Sequence, residues 1–230
     1  MLVGFVLLYV GVVLAVNGVW LIGQAQAAEA RSAAVTRRVA VAAAGGGPAA
    51  ERTAEAEAGE ELAGVPVVSV SRAEASPMFI QNREIAVINI FTGFVGVAAA
   101  LTYLVQGNAA ANLASVRSSG FILLFAFTYL WVALNQFLNA GGRAFGWYCL
   151  FVAITALPAG IYTLQAAHGN PADLWLAANW FAWAVLWGMF WALLVLELPI
   201  AKLAGWLAIA EGIGTSWALA IAILEGKLAF

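Results

Sequence analysis

Apolar residues in this chain gather into long unbroken runs, and most of its charges gather into one stretch between the first run and the second. No Asp, Glu, Lys or Arg interrupts 85–116, 118–142, 144–172 or 174–196. The apolar positions do not alternate with period two, which disfavours a barrel, and backbone satisfaction in hydrocarbon then demands helices. About 20 mainly apolar residues cross ~30 Å of hydrocarbon as a helix. The pattern therefore predicts six spanning helices, at 2–23, 84–106, 118–138, 145–166, 173–196 and 203–224. Ala25-Gln26-Ala27 looks like a signal-peptide cleavage site. However, no Lys or Arg precedes it, and Asn17, Gly18 and Trp20 break the apolar region, so the first span reads as retained.

Composition strengthens this reading. The 230 residues are 64% apolar and only 10% charged, with mean hydropathy +0.92. Fourteen of the 22 charged residues fall between Gln24 and Glu84, so the other 169 residues carry eight. That is too little polar surface for a soluble domain, which averages about 25% charged residues. The expected organisation is a first span at 1–23, a linker at 24–83, and spans two to six at 84–230, which form one membrane domain with the first.

The linker is rich in Ala, Glu and Gly and has no aromatic residue before Phe79. Such a segment buries little apolar surface and is expected to be mostly disordered. Helical pieces are expected at 24–43 and 49–62, separated by Gly45-Gly46-Gly47-Pro48. Arg31, Arg37, Arg38, Arg52, Arg72, Arg83, Arg143 and Lys202 lie in the connections after spans one, three and five, against Arg117 and Lys227 on the other side. The positive-inside rule then puts both termini outside and the linker in the cytoplasm.

Several chemistries are disfavoured. Net charge −2 with no basic stripe leaves no footprint for nucleic acid. One cysteine, Cys149, and one histidine, His168, make neither a disulfide framework nor a metal or haem centre. No glycine-rich phosphate loop is present. No nucleophile–base pair or metal cluster is visible in the spans, so a membrane enzyme is disfavoured, and no cofactor is expected.

Polar and aromatic residues inside spans are the best functional pointers. Glu211 sits mid-span, where an ionised carboxylate costs about 2.5–3.5 kcal/mol to insert, with Thr215 one turn along. It reads either as a pore ligand or as a helix tie. Asn17, Asn89 and Asn135 all fall in the cytoplasmic third of the bilayer and read as an inner vestibule or as interhelical glue. Trp180, Trp183, Trp187 and Trp191 keep to one stripe of the fifth helix, and Phe127 and Trp131 are one turn apart on the third. Flat rings with one carboxylate suit a small planar neutral solute such as urea or a short amide, and lack the charge ladder of an ion pore.

Six motifs in order, LLYVGVVLAVNG (7–18), REIAVINIFTGF (83–94), LLFAFTYLWVALN (123–135), WYCLFVAITALPAGI (147–161), WFAWAVLW (180–187) and WLAIAEGIGTSW (206–217), resemble the AmiS/UreI family of urea and amide channels. The resemblance implies a twisted six-helix bundle with its own pore, assembled as a homohexameric ring in a bacterial cytoplasmic (inner) membrane. It implies pore-lining roles for Leu7, Leu14, Phe127, Trp131, Trp180, Trp183, Leu186, Trp187 and Glu211. It also implies partnership with membrane lipid, and passive conduction of urea and acetamide-like amides that feeds a cytoplasmic urease or amidase. Only Arg117, His168, Asp173, Glu225 and Lys227 charge or titrate the external segments, so strong proton gating is not expected. Proton-coupled transport through Glu211 and an acid-gated urea channel are the alternatives.

Overall fold

The computed structural model describes residues 2–45 and 76–230. Six long apolar helices run through them: α1 (Leu2–Gly45), α2 (Asn82–Ala109), α3 (Leu113–Leu138), α4 (Arg143–Ala166), α5 (Pro171–Leu194) and α6 (Ala201–Leu224). The six-helix, all-α architecture expected from the apolar runs is the one found.

Helix ends follow local chemistry. Gln81 and Glu84 form a capping box on α2. The Asn112 side chain accepts from the Ala114 and Ser115 amides at the start of α3, and Asn170 accepts from Ala172 ahead of α5, where Pro171 needs no hydrogen-bond partner. Between α4 and α5, His168 and Gly169 turn the chain with positive φ, which leaves His168 exposed.

The helix expected at 24–43 is present, but it is fused to the first span rather than separate from it. The first helix does not stop at Gly23 but continues to Gly45, 44 residues in all, or about 66 Å at 1.5 Å per residue. The Ala-rich segment after Gly23 has high helix propensity and no proline, so nothing ends the helix at the membrane boundary. The returning chain docks on this junction. Gly23 lies against the Met78 carbonyl, Gln24 Nε2 donates to the Ile80 carbonyl (2.8 Å), and Trp20 Nε1 donates to Asn82 Oδ1 (3.2 Å). Further along, Glu29 pairs with Lys202 at the start of α6. The helical piece expected at 49–62, the glycine–proline break beyond Gly45 and the rest of 46–75 lie outside the described residues.

The helices associate mainly as pairs: α2 with α3, α4 with α5, and α1 with α6, with α1 also touching α2. The α1–α6 seam is built on glycine. Gly4, Gly11 and Gly18 recur every seven residues on α1 and meet Ile223, Gly212 and Gly205 on the antiparallel α6. Without hydrophobic drive between helices in lipid, such close backbone approach is a main source of cohesion. Phe91, Phe94, Val105, Phe151, Ile154 and Trp206 are exposed on the outside, as expected of a surface that meets acyl chains.

Candidate functional site

The backbones of α3 and α4 stand apart and are bridged by side chains, among them Trp131 on Tyr148 and Arg117 on Tyr162. A cavity of about 180 Å³ lies beside them. Its wall comprises Val3 to Leu14 on α1, Thr92 and Gly96 on α2, Ala114 to Tyr129 on α3, Tyr162 and Thr163 on α4, and Leu176 to Trp187 on α5. Eleven residues of α1 separate the two ends, about 16 Å of helix rise.

The wall is aromatic at its waist. The Phe125 ring centre lies 5.5 Å from Trp180, 5.3 Å from Trp183 and 5.8 Å from Trp187, and Phe121 meets Trp180 edge-on at 5.2 Å. These are the spacings of favourable tilted and edge-to-face ring pairs. One α3 ring thus locks three α5 indoles.

A defect in α6 holds the fifth helix in register. Gly212–Trp217 is π-helical, so its carbonyls leave the regular ladder and need donors. Three α5 side chains at four-residue spacing meet this segment, two of them at its carbonyls and one at a side-chain hydroxyl. Trp175 Nε1 donates to the Gly214 carbonyl (3.2 Å), Asn179 Nδ2 to the Thr215 carbonyl (2.7 Å) and Trp183 Nε1 to Thr215 Oγ1 (3.1 Å). The Thr215 hydroxyl in turn donates to the Glu211 carbonyl. With its N–H engaged, Trp183 presents ring surface rather than a donor.

Of the pore candidates, Leu7, Leu14, Trp180, Trp183 and Trp187 line this cavity. Four others do not. Phe127 points outward and is 45% exposed, and Trp131 packs on Phe145 and Tyr148 of α4 at 5.7 and 5.5 Å. The α3 pair that faces the cavity is Phe125 and Tyr129, two residues earlier and so about 200° round the helix. Leu186 is fully buried in a cluster with Val13, Leu14 and Tyr129, behind the wall. Glu211 is 5% exposed, at the start of the π segment and outside the wall, with Oε2 lacking a hydrogen-bond partner among the described residues. Its mid-span position was legible; which way it faces was not.

The three amides separate. Asn17 and Asn89 pair reciprocally, at 3.0 and 2.7 Å, and Asn89 also donates to the Ile85 carbonyl (2.8 Å). Asn135 stands apart, its Oδ1 buried without a partner among the described residues. The first two therefore tie α1 to α2 and leave little capacity for a solute. Substituting Asn17 by Ala is expected to destabilise the protein by about 1 kcal/mol, because membrane amide pairs are worth about 0.6–2 kcal/mol and the Asn89 amide loses its partner. A denaturant titration of the purified protein measures this. Solute uptake by the folded fraction should not change.

Polar groups that sequence reasoning missed also face the cavity. The Thr92 and Tyr129 hydroxyls are buried in its wall without a hydrogen-bond partner among the described residues, and Arg117 lines one end. Thr92 and Tyr129 lie at helical spacing from other candidates, but nothing local distinguishes them from lipid-facing neighbours.

Comparison with known proteins agrees with this architecture. A family model described as AmiS/UreI family transporter matches residues 74–227, a stretch that takes in α2 to α6. The acid-activated urea channel of Helicobacter pylori is 32% identical over 175 residues, covering 66% of this chain and 90% of that one. A putative amidate substrates transporter protein of Mycolicibacterium smegmatis is 34% identical over 149 residues, covering 64% and 67%. The crystal structure of the urea channel from Helicobacter pylori matches with a TM-score of 0.64 at 26% identity, both chains being covered in full. A cryoEM structure of that channel in a closed state gives 0.67 at 26% identity, covering 98% of this chain and 99% of that one. With a match running through the last five spans and a fold shared from end to end, this chain belongs to the AmiS/UreI family of transporters.

Proposed function

We propose that this protein is a passive channel for urea and short aliphatic amides in the bacterial cytoplasmic membrane, with both termini outside and the connection between α1 and α2 in the cytoplasm. The observation that carries this reading is the ring-walled cavity, in a family whose relatives include a urea channel and an amidate transporter. A planar amide sheds part of its hydration on entering. It then stacks on the faces of Phe125, Trp180, Trp183 and Trp187 and exchanges hydrogen bonds with the Thr92 and Tyr129 hydroxyls, each able to donate and accept. Leu7 and Leu14 set the width from the α1 side. Such contacts are weak enough to release the solute, which conduction requires.

The homohexamer that the family resemblance implies would bury part of the exposed apolar girdle, and a cytoplasmic urease or amidase would consume what enters. Acid gating is not part of this reading, because the single histidine sits exposed in the α4–α5 turn with no histidine neighbours to amplify it. One observation favours a second reading. The buried Glu211 carboxyl, with an unpartnered oxygen, is the kind of group that couples transport to protons.

Stopped-flow light scattering on proteoliposomes tests both readings, comparing urea, acetamide and glycerol near neutral pH and at about pH 5, either side of an ordinary histidine pKa. The expected result is rapid, non-saturating entry of urea and acetamide at both pH values, with glycerol slower. Uptake that saturates, or that needs an imposed proton gradient abolished by Glu211→Gln, would replace the channel with a coupled transporter.

A further inference from the structure

At the end of the cavity where α1 begins, the wall holds Arg117, Ser118, Tyr162 and Thr163. Arg117 is the single charged residue of this wall among the described residues. Its guanidinium carbon sits 3.8 Å from the centre of the Tyr162 ring, so the plane is held by cation–π contact from the neighbouring α4. The ion pairs among the described residues are Arg143–Glu197, Lys202–Glu29 and Lys227–Glu225, none of which involves Arg117. Its Nη1 is shielded from solvent and has no hydrogen-bond partner among the described residues. A shielded, unanswered charged donor is costly, and every such group calls for an explanation.

We propose that Arg117 is a docking and selectivity residue: at one mouth of the cavity it donates to the carbonyl oxygen of a neutral amide or urea and turns away ammonium-type cations. This rests on the cavity being the solute path. A guanidinium carries donors only, in a fixed plane, and keeps its charge at any working pH. The carbonyl of a planar amide is the complementary acceptor and presents no like charge. An ammonium ion offers donors to donors and adds repulsion in a poorly screened site. A carboxylate would be held at Arg117 but finds no second cation deeper in the wall, where rings and aliphatic side chains follow. Neutral solutes alone both dock and leave. Both reactions that use these solutes, hydrolysis of urea and of amides, release ammonia, so a mouth that rejects its protonated form keeps the entry route from becoming a leak.

The test is uptake into proteoliposomes of acetamide and of methylammonium, the latter as the cation at mildly acidic pH. It compares the wild type with Arg117→Met, which keeps the length without charge, and Arg117→Lys, which keeps charge without the stacked fork. Tyr162→Leu, which removes the supporting ring and leaves Arg117 in place, is a second probe in case Arg117 variants assemble poorly. We expect Arg117→Met to lower acetamide uptake about tenfold, the worth of one charge-assisted hydrogen bond, and to admit methylammonium. Arg117→Lys should lose amide uptake yet still exclude methylammonium, and Tyr162→Leu should lower amide uptake. Unchanged acetamide and methylammonium uptake in folded Arg117→Met overturns the role of Arg117 while leaving the channel intact. Wild-type protein that passes neither urea nor acetamide above empty liposomes overturns the channel and this role together.

Discussion

Replacing Gly11 with valine is expected to prevent normal assembly of the protein. A Cβ at Gly11 would lie 2.6 Å from the Trp217 backbone nitrogen and 2.8 Å from the Gly212 carbonyl oxygen, and one at Gly212 would lie 2.7 Å from the Gly11 carbonyl oxygen. Those neighbours are backbone on both sides, so no rotamer change relieves the clash and the two helices must move apart. Overpacking into side chains costs about 1–3 kcal/mol, and a seam of backbone against backbone lies at or above the top of that range. The damage also reaches the cavity, because Gly212 and Trp217 bound the π segment that accepts the Trp183 and Asn179 hydrogen bonds. Thermal unfolding in mild detergent, with the monodisperse fraction after extraction, measures the effect. Gly188→Ala serves as the control, since a Cβ there meets nothing within 4 Å. A Gly11→Val protein with the wild-type unfolding midpoint would mean that the α1–α6 seam is looser than described here.

Trp183→Ala carries the second large effect, on transport. Trp183 is 5% exposed, sits 5.3 Å from Phe125 and 5.2 Å from Trp180, and is pinned by Thr215. Truncating a buried indole costs about 3–5 kcal/mol of stability, and the neighbouring rings collapse only partly into the space. The solute then loses a stacking face while the waist loses its defined width. Urea and acetamide uptake per folded protein should fall severalfold, and their advantage over glycerol should shrink. Trp183→Phe keeps a ring face but loses the bond to Thr215 and part of the ring volume, so it should retain most of the uptake at a stability cost of about 1–3 kcal/mol. Stopped-flow scattering for all three solutes, on protein whose folded fraction has been measured, separates the two variants. An unchanged rate and solute ranking in Trp183→Ala would remove this residue from the path.

The aromatic pairs of α3 illustrate where sequence reasoning stops. Phe127 and Trp131 share the four-residue spacing of Phe125 and Tyr129, and both pairs lie in the motif that resembles the family. Periodicity says that each pair occupies one face, but which face meets α5 and which meets lipid depends on how the helix is rotated within the bundle. In hydrocarbon the usual guide is missing, since a lipid-facing Phe and a cavity-facing Phe are equally apolar. The Trp stripe of α5 was easier. Three of its four members face the cavity, while Trp191 packs instead against Trp147 at a ring separation of 6.3 Å. Glu211 and Thr215 are four residues apart and joined by the Thr215 hydroxyl, but the π-helical step between them has no local signature in the sequence.

What the sequence determined by itself is what hydropathy, charge and propensity fix locally. These are six helices long enough to cross a bilayer and a charged segment between the first two. The motifs that resemble the family added its identity. Only the tertiary structure decided that the returning chain docks on α1 at Gly23, that Asn17 answers Asn89, that Phe125 rather than Phe127 gathers the indoles, and that Arg117 lies over Tyr162. The division has one physical cause. Spanning depends on the free energy of each segment against lipid, which adds residue by residue, whereas a cavity is the space that several helices leave between them. Its lining depends on rotations and close approaches set by partners from 32 positions away in the chain, as for Trp183 against Thr215, to 187 positions away, as for Gly18 against Gly205.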